Sequence, residues 1–192
     1  MSACTAGAGY SSHHLLDNYD FASLGNGLVV DVGGAGGHNS FAIAQQYPKL
    51  NFVVQDLEAA FGEAGVKVPT ELEGRVEFMA HDFFTPQPAK ADLYYFRFIF
   101  HNWSDKYGVK IMRALLPALE PGARILVYDN CLPEVGTVPG WREKLLKTMD
   151  IYMLKILNAR ESFWLADSRF KFLGVTRPEG SNLALIEARW EG

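Results

Sequence analysis

Three side chains carry the chemistry this chain is equipped to do: His101, Asp129 and Glu161. An imidazole oriented by a carboxylate through one ring nitrogen can take a proton on the other, which makes a general base near neutral pH. A lone histidine at such a place is more often structural, so the two acids are what raise His101 to a candidate. A second group lies upstream in VVDVGGAGGH, where an apolar run over Leu28, Val29 and Val30 ends on Asp31 and is followed by Gly33, Gly34, Gly36 and Gly37. Glycine there lets the backbone come close to a bound nucleotide, which a side chain would push away.

The spacing of those glycines separates two kinds of site. The dinucleotide pattern G-x-G-x-x-G fits neither register: from Gly34 the third glycine falls on Asn39, and from Gly33 the second falls on Ala35. An acid, one residue, a glycine, three residues and a glycine do fit (Asp31, Gly33, Gly37). Asp56 then lies about twenty residues past the turn, where nucleotide folds place a carboxylate against ribose hydroxyls. The alternative for Asp56 is a solvated acid at a strand end.

These residues need a scaffold, and the pattern supplies one. Strands are predicted over 28–31, 51–55, 75–80, 92–98 and 123–128, with helices over 39–47, from Ser104 as N-cap through Leu119, and from Trp141 to about Asn158. Along that last helix Leu145, Met149, Met153, Ile156 and Leu157 are expected on one side, and a short helix is expected over Leu15–Leu24. The residues Gly33, Asp56, Asp82 and Asp129 end four of the five strands, and His101 follows the remaining one. All five therefore gather at the carboxyl edge, where open α/β sheets bind ligands. Two closing strands, 170–176 and 183–188, joined by Arg177 to Ser181, read as an antiparallel pair.

Composition narrows the partners. A net charge of −4 argues against nucleic acid or an anionic membrane surface. No apolar run approaches the ~20 residues of a membrane span, and the opening lacks the basic and apolar regions of a secretory signal. With only Cys4 and Cys131, and with His13 and His14 adjacent, no metal site is expected, and reduced thiols in the cytoplasm are the default. The 192 residues suit one domain, read as residues 25–192 after a small, polar, partly disordered lead-in over 1–24.

In this order, VVDVGGAGGH, FVVQDL, HDFF, RFIFHNWSDK, YDNCLPE and NARES closely resemble the catalytic domain of S-adenosylmethionine-dependent O-methyltransferases of the caffeic-acid and fungal secondary-metabolite type. The resemblance runs from Tyr10 to Gly192. It implies a Rossmann-like α/β fold with a seven-stranded, mostly parallel sheet, its last strand antiparallel and helices on both faces. It also implies a methyl transfer from S-adenosylmethionine to a phenolic hydroxyl of an aromatic small molecule. By the same resemblance Asp31, Gly33, Gly34 and Gly37 pass the methionine part of the cofactor, and Asp56 holds the ribose. Asp82 and Phe83 bracket the adenine with Trp103 nearby, and Arg97, which stands where plant relatives tend to have Lys, is counted by the resemblance among the cofactor-binding residues. His101 matches the general base and Asp129 and Glu161 the flanking acids, while Met149, Met153 and Asn158 fall where the substrate pocket is lined. The chemistry needs no metal: the sulfonium methyl is already activated, and a phenol with pKa near 10 needs a base as it attacks.

The sequence departs from that family twice. The family's N-terminal dimerising helical domain is not among these residues, and only 162–168 separate Glu161 from the next strand region, too few for an ordinary crossover helix. Three readings follow: a phenol O-methyltransferase, a truncated cofactor-binding homologue with little transferase activity that serves as a binding or structural partner, and a nicotinamide oxidoreductase, which the glycine spacing disfavours. The exposed face left by the missing domain predicts a homodimer or a partner chain.

Overall fold

The computed structural model describes residues 8–61, 67–132, 135–157 and 169–192, and for 149–157 the backbone alone. Seven strands form one sheet in the order β3-β2-β1-β4-β5-β7-β6: β1 Leu28–Val32, β2 Asn51–Asp56, β3 Val76–Ala80, β4 Leu93–Arg97, β5 Arg124–Asp129, β6 Phe170–Thr176 and β7 Ala184–Trp190. The first five are parallel, and β7 runs antiparallel between β5 and β6. Strand order reverses at β1 and β4, so the crevice of the sheet opens above those two.

Alternation along each strand feeds two cores. On one face Val29, Phe52, Val54, Tyr95, Leu126 and Tyr128 pack with Ile43 and Ala44 of α2 (His38–Gln46). On the other, Val30, Val53, Tyr94, Phe96 and Val127 pack with Ile111, Met112 and Leu115 of α3 (Asp105–Leu115). The strands are apolar on both sides because both sides are covered. Each such side chain taken fully from water contributes about 1.5–3 kcal/mol.

Several boundaries differ from expectation for local reasons. Residues 15–24 do not form one helix: α1 is a single turn over His13–Leu16, and a 3-10 turn over Phe21–Leu24 follows, in which the Asp20 carboxylate accepts from the Ser23 amide at 3.2 Å. Asp and Asn offer the backbone such local alternatives. Leu15, Tyr19 and Phe21 are buried in the first core, so this part of the lead-in is packed. Ser104 holds the N-cap position of α3 with no hydroxyl cap bond, and the helix stops at Leu115 instead of Leu119. Pro117 is the reason: it lacks an N–H and its ring would meet the carbonyl of Arg113, so the chain tightens into a 3-10 turn over Leu116–Ala118. In α4 (Gly140–Leu157) it is Leu146 that is buried, while Leu145, on the apolar side read from the spacing, is 39% exposed. The closing strand runs on to Trp190, whose ring packs on Phe170 at 4.8 Å.

Candidate active site

The register of the parallel strands brings their ends level: Val32 lies opposite Gln55 and Phe96, Asp56 opposite Ala80, and Arg97 opposite Tyr128. One edge therefore carries Asp31, the glycine turn, Asp56, Asp82, His101 and Asp129.

The glycine turn is shaped by close approach. A Cβ on Gly34 would lie 2.6 Å from Asp31 Cγ and 2.8 Å from a methyl of Val54. Gly37 has φ +71° and would put a Cβ 2.9 Å from the Phe78 ring. Between them Ala35 also takes a left-handed φ of +46°, and its amide donates to Asp56 Oδ2 at 2.9 Å. Asp56 Oδ1 accepts the Leu57 amide at 2.8 Å, leaving a further lone pair on each oxygen. Asp56 thus ties the turn after β1 to the end of β2. Asp31 sits beneath the turn, buried, and accepts the Ser40 hydroxyl at 2.6 Å. Burial raises its pKa to about 6, against the Ser40 hydrogen bond and the nearby positive charge of Arg97, which pull it down.

At the end of β3, Asp82 Oδ1 accepts the Phe84 amide at 2.9 Å, and its carbonyl accepts the Thr85 hydroxyl at 2.7 Å. The turn so fixed presents Phe83 and Phe84 edge-on to Trp103, with ring centroids 6.0 and 4.8 Å apart. Aromatic edges and faces of this kind suit a flat heterocycle.

His101 lies in a 3-10 turn, Phe100–Asn102, just past β4, and α4 packs against that turn. Its ring Nδ1 is 2.9 Å from Asp129 Oδ1, and its backbone amide donates to Asp129 Oδ2 at 3.3 Å. Both residues are buried. Phe98, immediately after β4, adopts φ +56° and places its ring 5.3 Å from the imidazole. A bulky residue in that region is strained, and such strain gathers at functional sites.

The expected residues therefore divide. Asp31, Gly33, Gly34, Gly37, Asp56, Asp82, Phe83, Trp103, His101 and Asp129 share the edge. Arg97 makes its contacts elsewhere: its Nη2 donates to the Tyr10 carbonyl at 2.6 Å, and its guanidinium lies over Phe98 and Tyr128. Met149 and Met153 lie on α4. Asn158 and Glu161 fall outside the described residues. Four residues of the site were not assigned to it from the sequence: Ser40, Ala35, Ile99, which packs against Gly33, and Phe98. Of these only Ser40 left a signal, as a hydroxyl in the first turn of the helix after the glycines. Among the described residues no cluster of His, Cys, Asp and Glu could hold a metal ion, and no helix is long and apolar enough to cross a membrane.

A seven-stranded sheet with this order and a ligand edge of this kind defines a Rossmann-like methyltransferase fold. It superposes on the crystal structure of TnmH with a TM-score of 0.82 at 24% identity, covering 99% of this chain and 57% of that one. It also matches OxaC, solved with sinefungin and meleagrin, with a TM-score of 0.75 at 30% identity, covering 91% and 47%. The O-methyltransferase domain model matches residues 5–163, and the chain belongs to that family. Among curated relatives it is 45% identical to the grayanic acid biosynthesis cluster O-methyltransferase of Cladonia grayi, over all of this chain and 45% of that protein. It is 46% identical to O-methyltransferase PaMT of Phomopsis amygdali, over 93% and 44%. A chlorophenol O-methyltransferase of Trichoderma longibrachiatum is 40% identical, over 100% and 44%. The chain spans less than half the length of these relatives.

Proposed function

We propose that the chain binds S-adenosylmethionine along the carboxyl edge of its sheet and takes part in methylating a phenolic hydroxyl of an aromatic small molecule, in secondary metabolite biosynthesis. The observation that carries this reading is the meeting, on one edge, of the glycine turn tied to Asp56 with the His101–Asp129 pair. The residues fit the cofactor's parts. The glycine turn, packed closely on Asp31, Val54 and Phe78, is proposed to pass the methionine moiety, Asp56 keeps lone pairs for ribose hydroxyls, and Phe83 and Trp103 offer edges to adenine. When bound, the cofactor supplies an activated methyl group.

The chain's own work is then to hold and deprotonate the acceptor. Asp129 fixes the imidazole by its Nδ1 edge, so the tautomer with Nδ1 protonated leaves Nε2 as the proton acceptor. Such a base contributes ~10²–10⁴-fold, whereas alignment of acceptor and methyl supplies ~7–11 kcal/mol. Met149 and Met153 on α4, together with Asn158, are proposed to line the acceptor pocket, and Glu161 to flank His101 beside Asp129.

A second reading, a cofactor-holding chain that transfers no methyl, is favoured by one neighbour described as a pericyclic reaction enzyme, 25% identical with a TM-score of 0.73. Calorimetry with S-adenosylmethionine and with NAD, followed by mass spectrometry of a phenol panel that includes chlorophenols, separates the readings. Binding of the first with a mass gain of one methyl supports the proposal. Binding without transfer supports the second reading, and binding of NAD alone overturns both.

A further inference from the structure

Arg97 is the residue of the edge whose contacts point away from the glycine turn. Its Nη2 donates to the Tyr10 carbonyl at 2.6 Å, and its Cζ stands 4.6 Å above the Phe98 ring and 5.8 Å from that of Tyr128. Tyr10 closes the group from the other side, its ring 5.8 Å from Phe98. The segment bearing Tyr10 is fastened a second time, because the Gly9 carbonyl accepts the Asn182 amide at 2.7 Å. A Cβ on Gly9 would lie 2.6 Å from the Asn182 side chain, so the two backbones meet closely. Phe98 is held in its left-handed conformation with its carbonyl accepting Asn102 Nδ2 at 2.7 Å, and its ring lies 5.3 Å from His101, tilted by 37°.

We propose that Arg97 and Tyr10 form a clamp that positions His101 through Phe98, Arg97 being a positioning residue and not a cofactor ligand. Asp129 fixes the edge of the imidazole; the clamped Phe98 ring fixes its face. A guanidinium suits the task because its plane stacks on an aromatic ring while its N–H groups donate sideways, whereas an ammonium does one or the other. Residues 8–10, far from His101 in sequence, thereby become a wall of the site.

The kinetic readout rests on the proposed methyl transfer; the spectroscopic one does not. Arg97→Met and Tyr10→Ala are expected to lower kcat for a phenol acceptor about 10- to 100-fold, the scale of a small misalignment of a reacting group. S-adenosylmethionine affinity should stay within about twofold. Tyr10→Phe, which keeps ring and carbonyl, should behave as the parent, and Arg97→Lys should recover part of the loss. The double variant should be no worse than the weaker single one, since both act on Phe98. In ¹⁵N spectra of the imidazoles, with His101 assigned through His101→Gln, the same two variants should displace the His101 resonances and Tyr10→Phe should not. Where Arg97→Met does not fold, Tyr10→Ala decides by the same spectra.

A tenfold loss of S-adenosylmethionine affinity in Arg97→Met makes Arg97 a cofactor ligand and overturns the clamp. Unmoved His101 resonances in both variants overturn it as well. A parent chain that binds the cofactor and methylates no phenol overturns the acceptor assignment alone, and the His101 resonances still decide on the clamp.

Discussion

One carboxylate holds His101 at two points: Asp129 Oδ1 lies 2.9 Å from the ring Nδ1, and Oδ2 accepts the residue's own backbone amide at 3.3 Å. Ring and main chain are thus referred to the end of β5, the strand beside the one that delivers His101. The Asn130 amide donates to the same Oδ1 at 2.9 Å, which stiffens the carboxylate in turn.

His101→Gln should therefore lower phenol methylation ~10²-fold or more with cofactor affinity nearly unchanged, because the base acts on the acceptor alone. Asp129→Asn, which keeps an oxygen for one amide, should produce a smaller loss. Turnover measured beside calorimetry checks both, and a His101→Gln protein working at the parental rate would remove the base from the proposal.

Gly34→Ala should be among the most damaging small changes. Its methyl would meet Asp31 Cγ at 2.6 Å and Val54 at 2.8 Å, and neither a buried, hydrogen-bonded carboxyl nor a core valine can retreat cheaply. Overpacking of this kind costs ~1–3 kcal/mol. Chemical denaturation reads the cost; a change under about 0.5 kcal/mol would show that Asp31 rearranges freely.

These two sites mark what was legible in the sequence and what was not. Acids and glycines at strand ends announce an edge, since strand order and crossover handedness bring every such end to one side; hence Asp31, Asp56, Asp82 and Asp129 fell where expected. Side-chain direction at the last strand residue and just beyond it is another matter. Arg97 reads as a charge for the cofactor, yet it faces Tyr10, because alternation puts it on the same face as Tyr95 and Tyr128 and a distant segment offers a carbonyl there. The strained φ of Phe98 has no signature in residue type. Leu146 rather than Leu145 is buried in α4 because helix phase depends on the approach angle of the helix, which periodicity does not contain.

Asp31 predicts a pH dependence. Its pKa is raised to about 6 from an ordinary 3.8, so the folded state prefers the neutral acid. The stability it lends is complete below pH 3.8, is lost as pH rises to about 6, and is flat above. About two pKa units correspond to ~3 kcal/mol. Asp31→Asn cannot titrate, so the stability difference, parent minus variant, should fall by up to that amount between pH 4 and 6. Parallel curves from urea unfolding across that range would refute the burial argument.

Asp56 should matter twice. Asp56→Ala removes the acceptor that keeps Ala35 in its left-handed conformation and, on the proposed reading, the partner of the ribose. Loss of charge-assisted hydrogen bonds to hydroxyls costs ~1–3 kcal/mol, or roughly 5- to 150-fold in affinity for S-adenosylmethionine. Titration with methionine-free adenosine isolates the ribose contribution; if adenosine binds parent and variant alike, the carboxylate serves the turn only.

The far edge of the sheet carries the last prediction. Among the described residues β6 has β7 on one side and no strand on the other, and Phe172, Leu173 and Val175 are 56%, 43% and 37% exposed. The register puts Phe172 and Val175 on one face of the strand, opposite Ala188 and Ile186, and Leu173 lies in a bulge between Phe172 and Gly174. An edge that offers unpaired backbone groups flanked by apolar side chains is a template for pairing, and natural edges are commonly blunted by lysine. The isolated 192-residue chain should accordingly self-associate with rising concentration. Added sulfate should favour that association, because apolar contacts strengthen in excluded salts. Phe172→Lys should suppress it at little cost in stability, the replaced ring being more than half in water. Light scattering across a concentration series decides: a parent chain that stays a monodisperse monomer, or a Phe172→Lys chain that associates as strongly as the parent, would show that this edge is inert.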